Sequence, residues 1–177
     1  MKSVLVSIKP KYCELIASGK KTIEVRKTKP KLETPFKVYI YETKALYKPN
    51  ACNHLFKGEG KVIGEFVCDT IITDRTFGHD PMFKALSCMN DAEIASYCTA
   101  NEMYGFHISD LVIYDKPKEL SGFSSYTKDN CPANLNGVCL DCKRSDVILC
   151  ENLDCPHKRI TRPPQSWLYV KSEVDTE

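Results

Sequence analysis

Three charged side chains within six residues, Lys21, Glu24 and Arg26, could together bind a phosphate, polarise a carbonyl or move a proton. A lysine becomes a base or nucleophile when its surroundings lower its pKa well below the ordinary value of ~10.4. Burial beside Arg26 would lower the pKa of Lys21, whereas Glu24 would raise it by stabilising the ammonium form. The sequence does not decide between these effects, so binding and catalysis both stay open.

A helix followed by a strand is predicted around these three residues. Residues 11–18 carry apolar groups at helical spacing, with a proline just before them and a glycine just after them. Residues 22–26 alternate, so their two apolar members are expected to face the core and Thr22, Glu24 and Arg26 the other side. The pattern predicts a half-buried strand whose polar face borders a cleft.

The same residues carry a resemblance to a known family. A glycine, a lysine two positions later and then Glu-x-Arg, here Gly19 to Arg26, follow a predicted N-terminal strand at residues 4–10. This order resembles the signature of the ASCH domain family, small barrels related to the PUA domains of RNA-modification proteins. Residues 60–66 resemble the central strand of the family, residues 104–111 resemble a late strand, and residues 162–167 resemble the ending of some bacterial members.

The resemblance covers residues 2–120 and the last strand, and it implies an α+β fold, a small PUA-like β-barrel decorated by short helices. The barrel domain would occupy residues 1–120, a Cys-rich insertion residues 121–160, and the final strand with a C-terminal tail residues 161–177. The segment from Trp167 to Val170 is therefore expected to return and pair with the body of the domain.

Alternation and capping patterns predict further elements. Residues 36–42 and 61–68 predict strands, and residues 104–114 predict one long strand closed by the following Lys-Pro pair. Asn90 and Glu93 have the spacing of a capping box, which predicts a short helix with a structural role.

The 177 residues suffice for one packed domain with a small appendage. The net charge of +2 hides an asymmetry, because residues 1–50 hold twelve Lys or Arg against four Glu, a balance of +8, so the remainder carries −6. Such a basic region either steers a phosphate-bearing partner or is a solubilising face. The family resemblance favours the first interpretation.

No apolar run approaches the ~18 residues that suggest a membrane span. The apolar stretch at the start is too short for a secretion signal, and Lys9 interrupts it. We therefore expect a cytoplasmic protein without a membrane partner.

Five of the ten cysteines crowd into residues 131–155. Cys139-x2-Cys142 and Cys150-x4-Cys155 are two pairs with spacings close to those of structural zinc sites, and tetrahedral zinc is the predicted cofactor. Cys131 and His157 are spare candidates, so the choice of four ligands stays open. Incidental reduced thiols, or disulfides in an exported protein, are the alternatives.

The family also suggests candidate catalytic residues. Some small ASCH proteins are amidohydrolases that deacylate acetylated cytidine with a lysine corresponding to Lys21, a threonine three residues later and a distant glutamate. This chain has Glu24 in place of the threonine, and residues 101–103 look like the segment that bears the distant glutamate, here Glu102. The resemblance thus implies Lys21, Glu24 and Glu102 as catalytic candidates, whereas other ASCH proteins are described as RNA-binding or nucleolytic.

Our leading hypothesis is an ASCH domain that binds RNA, a nucleotide or a modified nucleoside in a basic cleft, with ligand contacts from Lys9, Lys20, Arg26, Tyr41 and Trp167. A lysine-dependent amidohydrolase acting on an acylated cytidine-type nucleoside is the alternative, and a protein-docking module built on the insertion is another. Simpler roles also stay open: an ion pair between Glu24 and Arg26, and aromatic side chains in the core. The sequence does not indicate the oligomeric state.

Overall fold

The computed structural model describes residues 3–47, 55–76, 78–97, 102–125 and 159–172 of the chain. Within these ranges the chain forms strands and short helices in the order β1 (Ser3–Ile8), α1 (Pro10–Ala17), β2 (Ile23–Arg26), β3 (Phe36–Glu42), β4 (Leu46–Tyr47), β5 (Phe56–Lys57), β6 (Val62–Cys68), β7 (Ile71–Asp74), α2 (Pro81–Ser87), α3 (Asp91–Tyr97), β8 (Met103–His107), β9 (Ser109–Lys118), β10 (Phe123–Ser125) and β11 (Trp167–Ser172).

These strands divide among three sheets. The largest has six strands in the order β10-β11-β1-β3-β6-β9, a second has the order β2-β8-β7, and β4 pairs with β5. The predicted α+β fold, dominated by sheet and with few helices, is confirmed. Closure of the strands into a barrel is not shown, because hydrogen bonding in the described ranges leaves three separate sheets.

The last strand returns to the body of the domain, as predicted. β11 runs antiparallel to β1, with Leu5 opposite Leu168, and β1 runs parallel to β3 on its other side. β1 is therefore an interior strand, and its apolar side chains are buried on both faces of the sheet.

Both ends of α1 follow the predicted chemistry. Pro10 occupies the first turn, where its missing N–H costs nothing. Gly19 has φ +71°, and its N–H donates to the carbonyl of Ile16 at 2.9 Å while the Lys20 N–H donates to that of Leu15 at 2.9 Å. This left-handed glycine ends the helix and turns the chain into β2. Lys21 is thereby fixed at the junction.

The prediction of one long strand over residues 104–114 is wrong. β8 ends at His107 and belongs to the three-stranded sheet, whereas β9 begins at Ser109 and pairs with β6 in the six-stranded sheet. Between them the N–H of Ile108 donates to the carbonyl of Thr22 at 2.9 Å, and Asp110 has φ 45°. These features redirect the chain between sheets, and the only local sign of the break in the sequence is the polar residues His107, Ser109 and Asp110.

Three apolar clusters hold the elements together. One packs α1 against β1, β3 and β6, a second covers the opposite face of the six-stranded sheet, and a third joins β2 to α2 and α3. In the third cluster Ile23 and Val25 of β2 meet Phe83 of α2 and Ile94 of α3. α2 and α3 are therefore held close to the strand that carries Glu24 and Arg26.

The six-stranded sheet takes residues from both sides of the 126–158 segment, which lies outside the described residues. Phe123 of β10 pairs with Ser172 of β11, and Ser124 bridges Arg159. The described body therefore extends past the predicted boundary at residue 120. None of the helices in the described part of the chain has both the length and the apolar character needed to cross a membrane.

Candidate functional site

A cavity of about 930 Å³ opens between α1, β2, α3 and the segment that precedes β11. This volume lies within the range of ~300–1,000 Å³ that is usual for small-molecule sites. The polar and charged residues that line it include Ser7, Lys9, Lys11, Tyr12, Lys21, Glu24, Arg26, Lys27, Thr28, Glu93, Tyr97 and Gln165.

β2 supplies the floor of the cavity. Its alternation is as predicted, with Ile23 and Val25 in the core and Glu24 and Arg26 towards the cavity. However, the strand is not half-buried, because Glu24 and Arg26 are each only 5% exposed. Two opposite charges on this strand have therefore been removed from water, which requires close partners.

Lys21 completes a buried cluster with these two residues, which we call the cavity cluster (Lys21, Glu24 and Arg26). Lys21 is 2% exposed, and its Nζ donates to the carbonyl of Ser87 at 2.8 Å. The same Nζ lies 3.5 Å from Glu24 Oε2 and 4.7 Å from the ring centroid of Tyr12. A carbonyl, a carboxylate and an aromatic face thus surround the amine.

Burial lowers the pKa of Lys21. Glu24 opposes this effect by favouring the ammonium form, and Arg26 adds to it by repulsion. Burial is the larger of these opposing effects. The amine gives up its proton more readily than an exposed lysine would.

Arg26 connects the cavity cluster to the C-terminal part of the chain. Its Nη2 lies 2.9 Å from Glu24 Oε1 and donates to the carbonyl of Ser7 at 2.8 Å. The Ser7 hydroxyl donates to the carbonyl of Pro164 at 2.7 Å, and its N–H donates to that of Ser166 at 3.1 Å. The structure thus contains the Glu24–Arg26 ion pair that the sequence suggested as a simpler, structural role. Through Ser7, this ion pair braces the wall formed by residues 163–166.

Two polar atoms of the cavity cluster have no hydrogen-bond partner among the described residues: Glu24 Oε2 and Arg26 Nε. The acceptor and the donor belong to neighbouring, ion-paired side chains. Buried polar atoms are normally paired, so such exceptions mark positions where a ligand can supply the missing partner.

α1 and α3 form the opposite side of the cavity. Lys11 Nζ lies 2.5 Å from Glu93 Oε1, and the predicted capping box is present, with reciprocal bonds of 2.9 Å between Asn90 and Glu93. Tyr97 at the end of α3 donates from its hydroxyl to the carbonyl of Val25 at 3.3 Å. Burial raises the pKa of Tyr97, so this hydroxyl stays protonated. The helix predicted to be structural therefore also lines the cavity.

The structure brings together some of the predicted site residues. Lys9 is exposed and lines the cavity beside the cavity cluster, whereas Lys20 is exposed and does not line it. Trp167 does not line the cavity, and its Nε1 donates to both Thr28 O and Thr28 Oγ1 at 3.1 Å. Tyr41 is 5% exposed and packs in the second apolar cluster, which places it in the core.

Glu102 lies away from Lys21. Its Oε1 is 2.8 Å from Arg75 Nε, and its Oε2 accepts a hydrogen bond of 2.6 Å from the Tyr104 hydroxyl. These bonds, first that from Tyr104 and then that from Arg75, lower the pKa of Glu102. We call this group the surface cluster (Arg75, Glu102 and Tyr104). It does not line the cavity, so Glu102 is not placed to act with Lys21.

Several lining residues were not identified from the sequence, among them Ser7, Lys11, Tyr12, Glu93 and Tyr97. Glu93 was recognised only as a capping residue, and its partner Lys11 is 82 positions away. For the C-terminal wall the sequence contained one indication, because residues 162–167 belong to the segments that resemble the family.

The predicted zinc ligands Cys139, Cys142, Cys150 and Cys155, and the spare candidates Cys131 and His157, lie outside the described residues. Among the residues that are described, no group of three or more His, Cys, Asp or Glu side chains is arranged to hold a metal ion. Zinc binding therefore stays a prediction.

Fold and site together define a small α+β domain with an ionic cluster buried at the floor of an open cavity. Residues 6–122 match the family model described as the ASCH domain, which is well over half of the chain. The chain therefore belongs to the ASCH domain family.

Solved structures agree with this assignment. The ASCH protein from Zymomonas mobilis is 18% identical, with 97% of this chain and 89% of that chain covered and a TM-score of 0.55. Its serine-to-alanine mutant is 17% identical, with 96% of this chain and 88% of that chain covered and a TM-score of 0.56. Its tyrosine-to-phenylalanine mutant is 19% identical, with 68% of this chain and 77% of that chain covered and a TM-score of 0.52. At these identities the likeness shows the fold alone. A comparison with curated proteins finds no match.

Proposed function

We propose that the cavity binds a nucleotide or one residue of single-stranded RNA. The observation that carries this proposal is the cavity cluster, an acceptor and two cations buried at the floor of an open cavity of about 930 Å³. A nucleobase edge offers donors and acceptors side by side, which are the kinds of hydrogen-bond partner that Glu24 Oε2 and Arg26 Nε lack.

The charge of the cavity supports a phosphate-bearing ligand. Its lining holds five cationic side chains, Lys9, Lys11, Lys21, Arg26 and Lys27, against the two carboxylates of Glu24 and Glu93. The balance is +3 within one concave surface. Concave basic surfaces focus the field and raise the local concentration of anions.

Stability alone does not account for the cavity cluster. Removing three charged groups from water is costly, and apolar residues of similar volume are often at least as stabilising at such positions. All three residues also line the cavity. A role in ligand binding explains why charged residues occupy this floor.

The test is titration of the protein with the four ribonucleoside monophosphates and with a labelled single-stranded RNA, each at two salt concentrations. We expect binding that weakens with salt, and a double variant Lys9→Ala with Lys27→Ala should reduce the salt slope for RNA by about 0.7 for each phosphate that the protein no longer neutralises. Lys61→Ala is the matched control, because Lys61 pairs with Glu119 outside the cavity. Absence of binding at low salt would refute the proposal.

An amidohydrolase is a second candidate, favoured by one observation, the lowered pKa of the buried Lys21. Glu24 stands at the position of the family's threonine and is ion-paired, and Glu102 lies in the surface cluster, so neither position aligned with the other two roles holds the family's residue in the cavity. Incubation with acetylated cytidine followed by chromatography tests this candidate. No turnover by the unmodified protein would end it for that substrate.

We also propose structural zinc in the Cys-rich segment, on the basis of its cysteine spacing alone. Elemental analysis of the purified protein tests it directly. A variant in which a short Gly-Ser linker replaces residues 126–158 is feasible, because Ser124 already bridges Arg159 and the Ile160 N–H donates to Phe123 O at 2.9 Å. If this variant loses zinc but still binds RNA, the zinc proposal and the RNA-binding proposal are independent. Pull-downs that compare this variant with the full chain would test protein docking.

A further inference from the structure

Cations paired with aromatic rings continue from the cavity along the segment between β2 and β3. Lys27 lines the cavity, and its Nζ lies 5.0 Å from the ring centroid of Tyr97. Two residues later, Lys29 Nζ lies 5.3 Å from the ring centroid of Tyr104. Tyr104 is directly opposite Arg26 in the β2–β8 pair. The second lysine–tyrosine pair therefore lies next to the strand end that carries the cavity cluster.

This segment is anchored by β11. Thr28 accepts from Trp167 Nε1 through both its carbonyl and its hydroxyl at 3.1 Å, and the Lys31 N–H donates to the Tyr169 hydroxyl at 2.7 Å. The rings of Trp167 and Tyr169 pack edge to face at 5.2 Å. Thr28 and Lys31 are therefore held against β11, while Lys27 and Lys29 lie over the rings of Tyr97 and Tyr104.

Lys27 and Lys29 are two positions apart on the chain, and the backbone bends at residues 27 and 28. Single-stranded nucleic acids are bound by basic surfaces that follow the backbone and by aromatic rings on which bases stack. The two lysine–tyrosine pairs place a cation and an aromatic side chain together at two neighbouring points beside the cavity.

We propose that Lys27–Tyr97 and Lys29–Tyr104 form a track that binds the nucleotides of single-stranded RNA adjoining the one held in the cavity. The inference rests on the proposed function, and it specifies an oligonucleotide rather than a free nucleotide as the preferred ligand. Glu102 is the carboxylate beside this track, and Arg75 neutralises it at 2.8 Å. The track thus keeps its positive charge.

The surface offers a matched control for a purely structural pairing. Lys118 Nζ lies 4.1 Å from the ring centroid of Tyr114, both on β9 at the far edge of the six-stranded sheet. Both residues are partly buried, and lysine–tyrosine contacts of this kind commonly serve local packing alone. A variant at Lys118 therefore removes the same kind of pairing at a distance from the cavity.

The experiment measures the affinity for the ribonucleoside monophosphate that binds best and for its homopolymers of two, three, four and six nucleotides. We expect affinity to rise over the first added nucleotides and then to level off. Tyr104→Leu should weaken binding of the trinucleotide about tenfold, the effect of removing one base stack, while Tyr104→Phe retains it. Lys29→Ala should lower the salt slope by about 0.7 for the oligonucleotides, and Lys118→Ala should leave both quantities unchanged.

Oligonucleotides that bind no tighter than the monophosphate would overturn the track and leave the proposed function standing. Equal effects of Lys29→Ala and Lys118→Ala would overturn it as well. If neither the monophosphate nor any oligonucleotide binds, the proposed function fails and the track fails with it.

Discussion

Two ionic clusters of similar composition lie in very different surroundings. The side chains of Lys21, Arg26 and Glu24 in the cavity cluster are 2%, 6% and 7% exposed. In the surface cluster Arg75 is 75% exposed and Glu102 is 38% exposed. Opposite charges attract far more strongly where water is excluded, but removing them from water costs more as well. Burial, rather than residue type, therefore distinguishes the candidate site from an ordinary surface ion pair.

The pKa shifts follow the same division. Burial is the main cause of the lowered pKa of Lys21, so this shift opposes the charged state. The pKa of Glu102 is lowered mainly by hydrogen bonds from Tyr104 and Arg75, so that shift favours the charged state. In the cavity cluster the surroundings disfavour the charged form of Lys21, whereas in the surface cluster neighbouring hydrogen bonds favour the charged form of Glu102.

Removal of the carboxylate should have the largest effect. Glu24→Gln leaves Lys21 and Arg26 buried without a counter-charge, and we expect the free energy of unfolding to fall by about 3–5 kcal/mol. Urea denaturation measures it. Glu102→Gln is the matched substitution in the surface cluster and should have a far smaller effect. Similar losses in both variants would mean that burial does not set the two clusters apart.

Removal of the lysine should change how stability depends on pH. Below the pKa of Lys21 in the folded protein, the amine is charged in both the folded and the unfolded chain. The cost of burying the charge then lowers the free energy of unfolding by its full amount. Between that lowered pKa and the ordinary value of ~10.4 the unfolded chain binds more protons, and the free energy of unfolding rises with pH. Lys21→Met lacks this contribution, so the stability of the unmodified protein relative to the variant should rise across the window, by about 1.4 kcal/mol for each unit of lowering.

Urea denaturation of both proteins at a series of pH values in that range gives this difference. In Lys21→Met the Glu24–Arg26 pair remains neutral, so the variant is expected to fold. A difference that falls with rising pH would show that Glu24 raises the pKa of Lys21 more than burial lowers it.

Loss of the Ser7 hydroxyl should have a smaller effect. Ser7→Ala removes the 2.7 Å bond to the carbonyl of Pro164 and should cost about 0.5–1.5 kcal/mol. Ser109→Ala is the control, because its hydroxyl donates to the carbonyl of Val67 at 2.9 Å away from the cavity. Urea denaturation should show similar costs for both. Only Ser7→Ala should speed amide hydrogen exchange at Gln165 and Ser166 in the wall. If the two variants show the same exchange rates there, Ser7 does not connect the wall to Arg26.

The features that the sequence predicted depend on residues close together in the chain. The left-handed Gly19, the alternation of β2 and the capping box of α3 all follow from spacings of two to four residues. The partners that complete the site are distant: Lys21 and Ser87 are 66 positions apart, and Ser7 and Pro164 are 157 apart. No local periodicity encodes such pairs, because packing of α2, α3 and β11 around β2 decides them.

The same distinction explains the outcome at Glu102. Family resemblance aligned the segment around residue 102 in order along the chain, but segment order does not fix where a side chain points. Arg75 and Tyr104 hold this carboxylate outside the cavity. The burial of β2 on both faces likewise depended on α1, α3 and the C-terminal wall, which alternation alone does not reveal.

The smallest effect that we expect is the response of the two clusters to salt, measured by double-mutant cycles of Glu24→Gln with Arg26→Met and of Arg75→Gln with Glu102→Gln. At an ionic strength of about 1 M the screening length is only ~3 Å, so the coupling across the exposed Arg75–Glu102 pair should fall towards zero. The coupling between Glu24 and Arg26 should fall much less, because salt screens a pair that is only 5% exposed much less than an exposed one. If both couplings decline in parallel, solvent enters the cavity cluster, and the contrast in surroundings that singles out the candidate site disappears.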